Sequence, residues 1–153
     1  MTVAFIVREN IDVTDALKKR LQEVITKLVI DEWTNVFIFT DVGEFDRVCY
    51  DIVSNLKKIF PDIQRHHIRG DSDCNDFTRD RISNSYEKYF IPSEDDTVSY
   101  DLRDFAMISR CDILVTYCDL NFQMKAKWIN STATAIVTAW KKKKRVINLF
   151  ESK

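Results

Sequence analysis

Glycine and proline are both scarce in this sequence, with two of each among 153 residues. Average usage would give about ten glycines. Gly43 and Gly70 alone cannot form the G-x-G-x-x-G or G-x-x-x-x-G-K-[ST] motif, so both glycine-rich phosphate-binding loops are excluded. Any phosphate site must instead use helix N-termini and side chains.

The sequence also has no excess of charge and no long apolar run. It carries 23 basic and 24 acidic residues, which gives no electrostatic reason to expect nucleic acid or an anionic membrane as a partner. The apolar run at 3–7 ends at Arg8 and is too short for a signal peptide or a membrane span. We therefore expect a soluble cytoplasmic protein.

No two of the four cysteines form a C-x-x-C pair, which argues against zinc-ribbon and thioredoxin-like sites. Cys49, Cys111 and Cys118 stand in apolar patterns and are expected to be buried, reduced thiols. His66 and His67 are adjacent in a predicted strand, so they should face opposite sides of the sheet. The sequence thus predicts neither a metal site nor a cofactor.

What the sequence does contain is a regular alternation of strand and helix patterns. With 45% apolar residues and this length, we predict a single domain over 1–153. Buried strands are predicted at 3–7, 35–39, 111–118 and 145–150, and a more polar strand at 62–69. Helices are predicted at 14–30, 44–60, 101–109 and 131–142. A polar, irregular excursion at about 70–100 interrupts the alternation.

This alternation predicts an α/β fold, a three-layer Rossmann-like open, mostly parallel sheet of about five strands with helices on both faces. In such sheets, ligands bind outside the carboxyl ends of the strands, near the point where strand order reverses. Polar residues that follow the predicted strands are therefore the candidates for a site.

Two explanations fit the polar residues at that edge. Glu44 and Asp46 open a predicted helix, where carboxylates are stabilised by the helix dipole, and they could be helix-capping residues alone. Asn130, Ser131 and Thr132 lie at the start of the last long helix. Either Asn130 or Ser131 could cap that helix, or its N-terminus could contact an anion. Asp46 lies two positions beyond Glu44, so the pair should point in different directions and does not form a ready acid/base pair.

Three stretches, FIVREN, VFIFTDVGEFDRVCYDIVSNLKKIFPDI and YDLRDFAMISRCDILVTYC, together resemble the SLOG superfamily, in particular its small bacterial Rossmann-like proteins. The element Gly43-Glu44-Phe45-Asp46 is the most specific match. Arg103 falls where that group begins an Arg-Asn pair, with Asp104 in place of the asparagine. The resemblance covers nearly the whole chain in the right order.

The departures from that pattern concern glycine. The group's Gly-His-Arg after the first strand is reduced to Arg8, and its glycine-rich turn before the final helix has become Asn130 to Ala133. Enzymatic relatives that cleave N-glycosidic bonds carry a Pro-Gly-Gly-x-Gly-Thr-x-x-Glu element, which does not occur here. The resemblance therefore implies binding of a nucleotide or nucleotide-derived ligand more than hydrolysis.

Three functions follow as hypotheses. The first is binding or sensing of a nucleotide or nucleotide-derived ligand without strong catalysis. The second is a degenerate relative that acts as an interaction or homo-oligomerisation module through the 70–100 excursion, and the third is an N-glycosidase or other nucleoside-processing enzyme. For the first, the predicted ligand-binding residues are Arg8, Thr40, Gly43, Glu44, Asp46, Arg103, Ser131 and Thr132.

Overall fold

The computed structural model describes residues 1–40, 43–68, 84–90 and 100–151. Along the chain the strands are β1 (Thr2–Ile6), β2 (Val36–Phe39), β3 (Gln64–Ile68), β4 (Lys88–Phe90), β5 (Ile113–Thr116) and β6 (Arg145–Asn148). The helices are α1 (Asp15–Glu32), α2 (Glu44–Lys57), α3 (Tyr100–Arg110), α4 (Leu120–Lys125) and α5 (Ser131–Lys141).

The strands form one open sheet in the order β4-β3-β2-β1-β5-β6, and every pairing is parallel. The chain builds outward from β1 to β4 and then crosses to β5 on the other side of β1. The strand order therefore reverses between β1 and β5. The hydroxyl of Thr116 donates to the carbonyl of Ile6 at 2.6 Å and joins these two strands at their carboxyl ends.

The core has two parts, one on each face of the sheet. Val3 and Phe5 of β1 belong to the cluster that includes the apolar sides of α1 and α2. Ala4 and Ile6 of the same strand belong to the cluster that includes α3 and α5. Because successive side chains of a strand alternate between faces, one apolar run supplies both layers. The predicted three-layer Rossmann-like α/β class is confirmed.

The predicted elements are recovered with shifted ends, and two more are present. The sheet has six strands where the sequence predicted about five, because β4 lies inside the predicted 70–100 excursion. Three residues are too few to show a period of two in the sequence. The short helix α4 lies between the predicted strand at 111–118 and the predicted helix at 131–142. The rest of that excursion, at 70–83 and 91–99, lies outside the described residues.

Residues 84–90 are held against α2 and β3 by polar contacts. The hydroxyl of Tyr50 donates to the carbonyl of Ser85 at 2.6 Å, and Arg65 donates in turn to Tyr50 and to Glu87. Lys57 adds an ion pair to Glu87 at 3.1 Å. Burial alone would raise the pKa of Glu87, but hydrogen bonds from Arg65 and Lys57 hold it below its ordinary value.

Candidate functional site

A cleft of about 360 Å³ opens at the carboxyl edge of the sheet, beside the point where strand order reverses. Three segments line it: residues 7–11 after β1, residues 43–45 at the start of α2, and Ser131 at the start of α5. Its volume lies within the roughly 300–1,000 Å³ of small-molecule pockets. The site therefore stands where parallel α/β sheets bind ligands.

Of the eight predicted ligand-binding residues, four line this cleft: Arg8, Gly43, Glu44 and Ser131. Glu44 and Ser131 are exposed, so their polar atoms are available to a ligand. Val7, Ile11 and Phe45 supply apolar lining. The cleft thus combines an apolar wall with carboxylate, hydroxyl and backbone groups.

Thr40 and Asp46 are bound to one another and do not line the cleft. The buried carboxylate of Asp46 accepts from the backbone N–H of Thr40 at 2.9 Å and from its hydroxyl at 3.2 Å. These bonds fasten the end of β2 to the first turn of α2. Glu44 and Asp46 do point in different directions, as predicted from their spacing.

Thr132 is fully buried beneath the cleft and connects two of its walls. Its hydroxyl accepts from the backbone N–H of Arg8 at 2.9 Å and donates to the carboxylate of Glu9. The hydroxyl of Thr132 therefore already accepts one hydrogen bond and donates its proton in another, both within the protein. Ser131 remains exposed, while Asn130 caps α5 by accepting from the N–H of Ala133 at 2.8 Å.

Arg8 leaves β1 towards α3, where it forms a bidentate ion pair with Asp104. Each of these side chains is only 9% exposed. A planar guanidinium matches a carboxylate in this geometry, which fixes both groups. The neighbouring Arg103 is 1% exposed and lies within α3, away from the cleft lining.

Glu9 and Asp104 are two polar residues at or beside the cleft that were not among the eight predicted ligand-binding residues. In the sequence, Glu9 is an acidic residue two positions after the buried strand predicted at 3–7. Asp104 stands in α3 next to another charged residue, Arg103. Only the folded chain shows that one contacts Thr132 and the other contacts Arg8.

Gly43 is the position where backbone conformation requires glycine. It precedes α2 with φ of 88°, a region that side-chain-bearing residues rarely adopt. Having no side chain, it makes no side-chain hydrogen bond to the amides of the first turn of α2. Gly43 itself lines the cleft at the start of this helix.

The three cysteines in the described part of the chain lack the features of a reactive thiol. Cys49, Cys111 and Cys118 are buried and unbridged, as predicted, while Cys74 lies outside the described residues. Burial raises the pKa of Cys111 to about 11 and also raises the pKa of Cys49 and of Cys118. These thiols stay protonated at neutral pH.

Among residues 1–40, 43–68, 84–90 and 100–151, no three or more His, Cys, Asp or Glu side chains are grouped so as to hold a metal ion. Within the same ranges, no helix has both the length and the apolar composition to span a bilayer. No protein-family model matches the sequence, and no curated protein matches it.

Proposed function

We propose that this protein is a divergent SLOG-like protein that binds a nucleotide or nucleotide-derived small molecule in the cleft lined by Arg8, Gly43, Glu44 and Ser131. The observation that carries the proposal is the position of the cleft, at the carboxyl ends of parallel strands and beside the reversal of strand order. Its role is sensing or carriage of the ligand, without strong catalysis.

The chemistry of the lining supports a ligand with a flat apolar part and a hydroxyl-bearing part. Val7, Ile11 and Phe45 offer apolar surface to a base. The exposed carboxylate of Glu44 can accept hydrogen bonds from ribose hydroxyls, and the hydroxyl of Ser131 can donate or accept. A few placed polar groups on a mostly apolar wall are typical of small-molecule sites.

The structure gives less support to an N-glycosidase. Such an enzyme uses a pair of carboxylates beside the scissile bond. Asp46 directs its carboxylate to Thr40, and the carboxylate of Glu9 is held by Thr132. Glu44 is the one exposed carboxylate among the described residues that line the cleft.

A thermal-shift screen tests the proposal, because a ligand that binds only the folded state raises the melting temperature by mass action. Nucleosides, nucleotides and ADP-ribose would be titrated against the native protein and against Glu44→Ala. We expect at least one compound to raise the melting temperature of the native protein, with a smaller rise for Glu44→Ala. Glu23→Ala, an exposed change on α1, is the matched control.

The proposal fails if no compound in this series raises the melting temperature, or if Glu44→Ala and Glu23→Ala respond like the native protein. Release of free base from any compound during the titration would show instead that the site is catalytic.

Self-association is a second candidate, favoured by a separate observation. No residue of α4 is buried, and the segment 122–129 exposes four large apolar side chains: Phe122, Met124, Trp128 and Ile129. Contiguous exposed apolar surface of this kind marks interaction sites. A net charge of only −1 gives little repulsion between two copies of the chain. Sedimentation of the native protein and of Trp128→Ser would show a dimer lost in the variant.

A further inference from the structure

The charges around the cleft select among the ligands of the proposed function. We infer that the site prefers an uncharged nucleoside-like ligand and disfavours di- and triphosphates, with Glu9 and Glu44 as the residues that set this preference. The inference rests on the proposed binding function and adds the chemical class of the ligand.

Among the described residues that line the cleft, Arg8 is the one cationic side chain, and its charge is already neutralised. Arg8 is only 9% exposed, and its guanidinium makes two hydrogen bonds to the carboxylate of Asp104. A phosphate that approached Arg8 would meet an ion pair of zero net charge. A ligand therefore gains little from the charge of this arginine.

The start of α2 carries its own carboxylate. A helix N-terminus has the effect of about half a positive charge and attracts anions. Glu44 is the first residue of α2, lines the cleft and is exposed, so it places a full negative charge beside that terminus. A full negative charge outweighs half a positive charge, so the net charge at this wall is negative.

The N-terminus of α5 also has a carboxylate of this protein beside it. Glu9 lines the cleft, and its carboxylate accepts a hydrogen bond from the hydroxyl of Thr132, the second residue of α5. The N–H of Ala133 is taken by the side chain of Asn130. Both helix N-termini at the cleft thus have an acidic side chain of this protein beside them.

Among the described lining residues, Arg8, Glu9 and Glu44 are the charged ones, and the first is balanced by Asp104. Two uncompensated carboxylates remain. Each is an acceptor for hydroxyl groups and repels phosphate oxygens. Ribose hydroxyls fit this surface, whereas a polyphosphate would be placed beside like charge.

The test compares each common ribonucleoside with its own 5′-triphosphate, by calorimetric titration against the native protein at low salt. Repulsion between a phosphate and a nearby carboxylate should weaken binding by roughly tenfold or more. For the nucleoside that binds most tightly, we expect an affinity higher than that of its triphosphate by about this factor. Raising the salt concentration should narrow the difference, because salt screens exposed charges.

Two variants remove one charge each with little change of shape. Glu44→Gln and Glu9→Gln should each bring the affinities of nucleoside and triphosphate closer together, and the glutamine at position 9 can still accept from Thr132. Glu23→Gln on the exposed face of α1 is the matched control and should leave the ratio unchanged.

The outcomes separate this inference from the proposed function. A triphosphate that binds as tightly as its nucleoside, or tighter, would overturn the charge-based selectivity and leave the binding function standing. The charge-based selectivity would also be overturned, with the binding function left standing, if both glutamine variants keep the native ratio of nucleoside to triphosphate affinity. Failure of every nucleoside and triphosphate to bind would overturn both.

Discussion

The backbone N–H of Arg8 donates to the hydroxyl of Thr132 at 2.9 Å, across 124 residues of sequence. This bond joins the segment that leaves β1 to the first turn of α5, and the same hydroxyl then donates to Glu9. One buried side chain therefore fixes the relative position of two walls of the cleft.

Thr132→Val should destabilise the protein, because valine keeps the shape but leaves the N–H of Arg8 without its acceptor. This N–H is part-buried, so the loss of its hydrogen bond should cost about 1 kcal/mol. Urea unfolding would measure the loss. Thr134→Val, an exposed change in the same helix, should stay within about 0.5 kcal/mol of the native protein. Equal stability of the two variants would contradict the role given to Thr132.

Asp46→Ala should act on stability more than on ligand contact. The carboxylate holds the N–H and hydroxyl of Thr40 at a buried position, and hydrogen bonds to charged groups contribute about 1.5–3 kcal/mol. We expect a lower urea midpoint for Asp46→Ala and little change for Asp51→Ala, its exposed counterpart in α2. A native-like midpoint together with lost ligand binding would instead place Asp46 in the binding site.

The Arg8–Asp104 pair should behave as a coupled unit. Removing one partner leaves the other charge buried without compensation, which costs about 3–5 kcal/mol. Arg8→Met and Asp104→Leu should therefore each be strongly destabilising, and the double variant should be more stable than the sum of the single effects. A double-mutant cycle from urea unfolding measures the coupling, and additive effects would argue against it.

Stability should fall as the pH is lowered through the range in which His66 titrates. Burial lowers the pKa of His66 from 6.5, and Lys88 and Arg110 lower it further while Glu87 opposes them. The unfolded chain therefore binds the proton at higher pH than the folded protein. This contribution is fully present above pH 6.5 and is lost as the pH falls below it.

The measurement compares urea midpoints at pH 7.5 and pH 5.5 for the native protein and for His66→Gln. The variant should lose less stability between these two conditions, because glutamine does not titrate. An identical loss in both proteins would show that His66 does not carry this pH dependence.

The sequence alone determined the layers of the fold. Runs such as VAFIV are apolar on consecutive residues, and a strand with that pattern must be covered on both sides, which requires helices on both faces. The helices could be predicted because apolar residues recur at helical spacing. In the structure, Thr14 caps the first of them by accepting from the N–H of Leu17. Strand β4 was not predicted because three residues are too few to show the two-residue alternation of a strand.

The candidate site was only partly visible in the sequence. The rule that ligands bind at the carboxyl ends of parallel strands pointed to one edge of the sheet, and Arg8, Gly43, Glu44 and Ser131 do share a cleft there. Which polar side chains face a ligand and which are used within the protein depends on contacts between residues far apart in sequence. Local pattern contains no information on such contacts, so Thr40, Asp46 and Thr132 could not be told apart from residues that line the cleft.

Tertiary structure alone decided the charge of the site. In the sequence, Arg8 is a cation after a strand, and Asp104 is an acid in a helix 96 residues away. Folding brings them together because α3 packs on the face of the sheet next to β1, and the ion pair then cancels the charge that a phosphate would have used. The sequence shows that Arg8 and Asp104 carry opposite charges, but only the folded chain shows that they pair.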